Sequence, residues 1–361
     1  MVKWLWIWLL VTPFVSVYGA PKAYYASPAL GGKGLDRGEK GREFTLHDDS
    51  GKPVPVVNVT GGGGMRYWYR RVFTEVCLTG ECRPVDVGLY WQFTGKYLGI
   101  EVYREPLTKT DHSDFSPLDY SQLESILRNE WSDLREYSAE ELVEPSASDD
   151  GVDGVTGATR KVIGDAAVKD AVYTTYTIWH LIHVGEPEQL ELLALGEMAA
   201  QPAMAHRLLA SADAASRDFV LRGVVDGYLL PDSAIESAIF EGLSAEDQLF
   251  RNLSIRALAK LDIPERRVQD NLAEVYPRLD AGEKIRLLSA LEPAAKLSPA
   301  LQARLFSEFK KDTPPWVLLK ILQVFQKIPA ALAADQRQFL ENFKTDHRAL
   351  AEALDNYRNK R

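Results

Sequence analysis

Val85-Asp86-Val87-Gly88-Leu89-Tyr90-Trp91-Gln92-Phe93 decides how the first half of the chain is read. Val85, Val87, Leu89, Trp91 and Phe93 occupy alternate positions, the period of a strand with one face buried. Upstream, Tyr67-Trp68-Tyr69 opens a partner strand that runs through Val76. Cys77 and Cys82 flank Leu78-Thr79-Gly80-Glu81 between the two, which reads as a hairpin loop. Thr94-Gly95-Lys96 is a further turn, and Tyr97 to Val102 the strand after it. Phe44 to His47 and Val54 to Val59 are earlier strands, joined by the turn residues Asp48-Asp49-Ser50-Gly51. The pattern is antiparallel. Gly61 to Gly64 reads as a loop tip or a phosphate cradle, and no helical pattern follows it.

Helical signals take over further along. Ser116-Pro117 precedes a helix over Leu118 to Trp131, and Ser138-Ala139-Glu140-Glu141 starts a short one that ends by Pro145. From Arg160, a broad apolar stripe through Ile163, Ala167, Val172, Tyr176, Trp179 and Ile182 predicts one long helix, stopped by Gly185-Glu186-Pro187. His180 and His183 share a face of it, as helix-end contacts or as two ligands of a metal.

Beyond Glu188 strand signals vanish. Prolines recur at Pro202, Pro231, Pro264, Pro299 and Pro329, spaced 29, 33, 35 and 30 residues apart, with similar apolar helices before several of them. A period of this size means a helix pair per unit, each burying a face on its neighbour. The pattern resembles short HEAT-like repeats, and the charged tail from Asp346 reads as a cap. Such arrays usually present binding surfaces, so a protein partner is expected there, with a purely structural role as the plainer reading.

The chain has 361 residues, 46% of them hydrophobic, and a net charge of −9. That length suits two domains, and the charge argues against nucleic acid as a partner. Lys3 and the apolar run Trp4 to Val17 have the form of a signal segment, with Val17-Tyr18-Gly19 as its cleavage site. Export to a periplasmic or other extracytoplasmic, oxidising compartment is expected, with membrane association left open. The expected organisation is a signal peptide over 1–19, a flexible linker over 20–42, an α+β domain over 43–185 and a helical-repeat domain over 186–361. The fold class is thus α+β, an antiparallel sheet domain followed by an all-α solenoid of helix pairs.

Asp153-Gly154-Val155-Thr156-Gly157-Ala158-Thr159 joins an acidic, Ser-rich loop to the helical pattern after it. Its glycines allow a backbone to approach a ligand closely. A helix beginning at Arg160 would aim N–H groups and a positive dipole end at an anion such as a phosphate. A turn with a Thr N-cap is the plainer reading.

The letters Asp153-x-x-Thr156-Gly157-Ala158-Thr159 resemble the D-x-x-[ST]-G-A-T motif of the FMN-binding domain family, which includes subunits of sodium-pumping quinone reductases and Rnf-type electron-transport complexes. The resemblance covers roughly Glu43 to Gly185 and is specific only at the motif. It implies covalent FMN, joined by a flavin transferase through a phosphoester to the Thr159 hydroxyl. Gly157 and Ala158 would leave room for the phosphate, and Arg160 stands where the family often has Ser or Thr. Asp153 serves loop geometry or transferase recognition in this reading. Tyr67, Trp68, Tyr90 or Trp91 could stack on the ring. The implied function is electron transfer between membrane electron-transport proteins and an extracytoplasmic acceptor. The alternatives are a flavin-dependent reductase of a small molecule, or a non-redox scaffold.

Two further features remain open. Cys77 and Cys82 form either a structural bridge or a redox-active dithiol. The polar run Thr108-Lys109-Thr110-Asp111-His112 is either a capped loop or a flank of the flavin, with Lys109 or His112 stabilising its reduced anion.

Overall fold

A computed structural model describes residues 23–30, 39–48, 50–61, 66–77, 80, 82–142, 161–292, 294–310, 312–328 and 332–359. Its contacts divide the chain into two compact units, Met1–Glu191 and Leu192–Arg361. The first unit thus extends past the boundary expected at Gly185.

The first unit is built on a six-stranded antiparallel sheet: β1 (Ala23–Ala26), β2 (Glu39–His47), β3 (Pro53–Thr60), β4 (Arg66–Thr74), β5 (Val85–Gln92) and β6 (Tyr97–Tyr103). The spatial order is β1-β6-β5-β4-β3-β2. Strands β2 to β6 form the meander that the alternation and turns predict. Strand β1 falls within the stretch expected to be a linker. It pairs with β6, Tyr25 stacks on Tyr120 at 4.2 Å, and the Ser27 hydroxyl accepts the Ile100 N–H at 2.8 Å. The described part of 20–42 thus holds strand β1, the 3-10 turn Pro28–Leu30 and the start of β2, because a free edge of β6 and an aromatic partner are available to β1.

One face of the sheet, with Trp68, Val87, Leu89, Trp91, Ile100 and Val102, is buried under helices. These are α1 (Pro117–Leu127) and α3 (Val172–His183), while α2 (Lys161–Gly164) packs on the 3-10 turn Asp133–Glu136. Ser116 and Asp119 form a capping box at the start of α1, with Pro117 in its first turn, and the helix ends at Leu127, short of the expected Trp131. The indole N–H of Trp91 donates to Ile182 O at 3.0 Å, joining the sheet to α3. The other face carries Tyr67, Tyr69, Arg71, Phe73, Asp86, Gly88, Tyr90 and Glu101. Strand β5 is buried on both faces up to Trp91, so its alternation marks chemistry rather than exposure.

The single long helix expected from Arg160 is broken. Asp170 adopts a positive φ of 59°. The Thr175 hydroxyl accepts from Val168 N–H at 3.1 Å and donates to Ala171 O at 2.9 Å. Local side-chain bonding of this kind competes with helix continuation. One apolar stripe can thus be shared by two helices and the turn between them.

Helix α4 (Glu186–Ala200) contains the division between the units. Among the described residues ten helices follow in five pairs: α5 (Pro202–Leu209) and α6 (Ala214–Asp226), α7 (Ser233–Gly242) and α8 (Gln248–Ala257), α9 (Arg266–Val275) and α10 (Ala281–Ala290), α11 (Pro299–Ser307) and α12 (Pro315–Lys327), α13 (Ala334–Asn342) and α14 (Arg348–Asn359). The second helices start 34, 33, 34 and 33 residues apart. They pack in order, α6 on α8, α8 on α10, α10 on α12 and α12 on α14, while α5, α7, α9 and α11 form a second layer. This is a solenoid of helix pairs. Pro202 and Pro299 stand in the first turns of α5 and α11, which explains part of the proline period. Val220, Ser254, Leu287, Ile321 and Leu354 recur at the same spacing and are buried as its spine.

Candidate functional site

Asp153, Thr156, Gly157, Ala158, Thr159 and Arg160 lie outside the described residues. Their flanks do not. On the N-terminal side, Ser138 N–H donates to Glu141 at 2.9 Å in a 3-10 turn, and Leu142 after it is fully buried. On the C-terminal side, Ile163 of α2 is equally buried. The Gln122 amide donates to Ala167 O at 3.3 Å, tying the chain after α2 to α1. The described part of α2 is a single turn.

The polar run at 108–112 is a tight loop fastened to the chain beyond α2. Thr110 donates to Asp170 O from its N–H at 2.7 Å and from its hydroxyl at 2.9 Å. The Thr174 hydroxyl donates to Thr108 O at 3.0 Å. Lys109 pairs with Asp119 at 3.0 Å. Burial alone would raise the Asp119 carboxyl, but donors from Ser116 and Lys109 hold it below the ordinary value. His112 is exposed, with a φ of 65°. The loop thus has the capped form, with Lys109 turned to a carboxylate of the same unit.

The four aromatics expected to stack on a ring are core residues, each 2% exposed or less. The Trp68 indole donates to Phe93 O at 2.8 Å, and Tyr67 and Tyr90 pack with Leu30 and Val59. Large aromatic area in a strand more often serves a core than a ligand, and it does so here.

The face opposite the helices gathers a polar cluster that the sequence reading missed. Asp86 accepts two hydrogen bonds from Arg71, both at 2.8 Å, and pairs with Arg104 at 3.0 Å. Asp86 also holds the Arg71 guanidinium above its ordinary range. Arg71 lies over the Tyr103 ring at 4.6 Å. Tyr90 and Tyr103 both donate to Glu101, and burial, reinforced by that carboxylate, pushes both phenols up. Gly88 makes the cluster possible, since a Cβ there would sit 2.9 Å from both Tyr69 and Tyr103. A glycine at mid-strand and an Asp between two valines were the available signals.

Beside this cluster is a cavity of about 230 Å³, lined by Phe73, Arg83, Asp86, Tyr103, Arg104 and Glu105 among others. Arg83 meets Glu105 and Asp114, each at 3.2 Å, so the cations at its wall are balanced by carboxylates. Cys77 and Cys82 lie just upstream of Arg83 and are bridged, with Cα atoms 5.8 Å apart. A bridge fits an oxidising compartment.

His180 and His183 do the work of helix-end contacts. The His183 ring bonds Leu127 O at 2.8 Å and the His180 ring bonds Leu134 O at 2.9 Å. Trp179 adds a bond to Asn129 O at 2.9 Å. Carbonyls left over at the end of α1 are satisfied this way. Among the described residues no group of His, Cys, Asp and Glu is arranged to hold a metal. No described helix is long and apolar enough to cross a membrane, and the N-terminal apolar run lies outside the described residues.

Fold and site together define an α+β sheet unit followed by a solenoid of helix pairs. The chain matches no protein-family model, no curated protein and no solved structure.

Proposed function

We propose that the chain is an exported electron-transfer flavoprotein carrying FMN on Thr159. The observation that carries this reading is the string Asp153-x-x-Thr156-Gly157-Ala158-Thr159. An antiparallel sheet upstream and the buried Leu142 and Ile163 on either side of the motif support it. Attachment forms a bond from the Thr159 oxygen to the FMN phosphorus. The flavin must arrive as a phosphoanhydride, whose nucleotide leaves while a flavin transferase accepts the hydroxyl proton. FMN supplies one- and two-electron transfer, which joins two-electron donors to one-electron chains. A covalent tether prevents its loss by dilution outside the cytoplasm. Membrane electron-transport proteins are the partners on one side, and the solenoid docks a protein partner.

The test is co-expression with a flavin transferase, followed by denaturing electrophoresis under ultraviolet light. The parent protein should fluoresce, Thr159→Ala should fold without fluorescing, and Thr156→Ala should retain some signal. Undiminished fluorescence from Thr159→Ala would reject the assignment.

A further inference from the structure

We propose that the exposed stripe along the second helices of the solenoid binds an acidic segment of a partner protein. This rests on the reading that the solenoid docks a protein partner and does not depend on Thr159. The N-caps of α6, α8, α10 and α12 are Asp213, Asp247, Asp280 and Pro314. Positions two, six, nine and thirteen beyond each cap repeat at helical spacing and fall on one face. Five cations occupy that face, Arg222, Arg256, Arg286, Lys320 and Lys327, and Lys260 follows α8 in the 3-10 turn Leu258–Lys260; at position six of α6 and α8 the face carries the buried Phe219 and Leu253, and Lys320 is 18% exposed. Arg222 and Arg256 share position nine on the packed pair α6 and α8, and Arg286 and Lys320 share position six on α10 and α12.

Few carboxylates offset them. Glu292 pairs with Lys320 at 2.8 Å and Lys327 at 3.0 Å, and those two ammonium groups hold it at about 2. Asp226 is the acid on the stripe itself. Arg222, Arg256, Lys260 and Arg286 form no ion pair with a described carboxylate; Arg286 reaches the Asn252 amide oxygen at 3.5 Å. A positive stripe on a chain of net charge −9 runs against the overall balance. Cations in the last turn favour a helix dipole, which accounts for Arg256 in α8 and Lys327 in α12. Arg222, Arg286 and Lys320 lie outside the last turns and have no such explanation.

The same stripe carries apolar anchors. Leu249 and Trp316 both stand two residues beyond their caps, and both are more than half exposed, at 57% and 56%. An extended acidic segment with aromatic or branched side chains matches both features: its carboxylates meet the cations, and its apolar groups meet Leu249 and Trp316. A membrane surface would require a broader apolar patch than two separated side chains.

The experiment selects ligands for the immobilised full chain from a random peptide library and titrates the enriched peptide by fluorescence anisotropy. Enriched peptides should be acidic and contain an aromatic or branched aliphatic residue. The exposed pair Arg256→Glu/Arg286→Glu should weaken binding about tenfold or more, whereas Arg256→Lys/Arg286→Lys should retain most of it. Trp316→Ala should weaken it separately, and added salt should weaken it further. Enrichment of neutral or basic peptides, no enrichment, or indifference to charge reversal would overturn the proposal. So would tighter binding to duplex DNA or to phosphatidylserine vesicles than to the peptide. None of these readouts requires flavin, so their failure leaves the Thr159 assignment standing.

Discussion

In the sheet unit, Arg70 of β4 and Glu186 of α4 form one ion pair with both side chains buried. In the solenoid, Asp213, Asp247 and Asp280 each cap a second helix, and a cation four residues after each reaches a carboxylate of the next pair. Those contacts are Arg217 to Asp247 at 3.3 Å, Arg251 to Glu283 at 3.7 Å and Lys284 to Glu308 at 3.0 Å. The first unit thus depends on contacts that occur once. The second repeats a modest contact and distributes its stability along the array. A unique contact permits a specific site but leaves no substitute when it is lost.

The sharpest way to break this contrast is to remove Glu186. Glu186→Ala leaves the Arg70 guanidinium buried without its carboxylate, and the sheet unit should lose about 3–5 kcal/mol. Hydrogen exchange resolved by mass spectrometry should show the loss within the sheet unit, with protection of the solenoid spine unchanged. A uniform loss over both units would contradict the separation.

The matching change in the solenoid is Leu287→Ala in its buried spine. Large-to-small substitution in a packed core costs about 2–5 kcal/mol. Exchange should rise first in α8, α10 and α12, the neighbours in that layer, and fade along the array. Equal deprotection of every helix pair would mean that the array unfolds as one body.

Replacing Cys77 and Cys82 by Ser should cost about 2 kcal/mol on the chain-entropy account of a short loop, measured by denaturant titration. Flavin attachment should survive. Full stability together with lost electron transfer would favour the redox dithiol over the structural bridge.

The smallest expected effect concerns pH. Burial lowers the pKa of His183, so the unfolded chain takes up that proton first as pH falls below about 6.5. The stabilisation is complete above that value and is lost as pH drops through the depressed folded value. His183→Gln should flatten this slope in acid titrations of stability while keeping a donor to Leu127 O. An unchanged slope would assign the acid sensitivity elsewhere.

Legibility differed between the units for physical reasons. The meander followed from alternation and turn residues, and the solenoid from its period, because both are local and repeated signals. Strand β1 was hidden because Ala23–Ala26 is short and pairs with β6, far along the chain. The break at Asp170 was hidden because the apolar stripe continues across it, while the deciding bonds come from the Thr175 hydroxyl. The Asp86 and Glu101 clusters depend on residues brought together from β4, β5 and β6, and no sequence window contains them. The string at 153–159 shows the reverse case, with letters that resemble a flavin-attachment motif in a segment outside the described residues.

The most direct test of the central claim is a peptide map, by mass spectrometry, of the protein purified after co-expression with a flavin transferase. FMN should be found through a phosphoester on the peptide containing Thr159, and fragmentation should place it on that oxygen. Flavin on any other residue, or none on the unaltered chain, would contradict it.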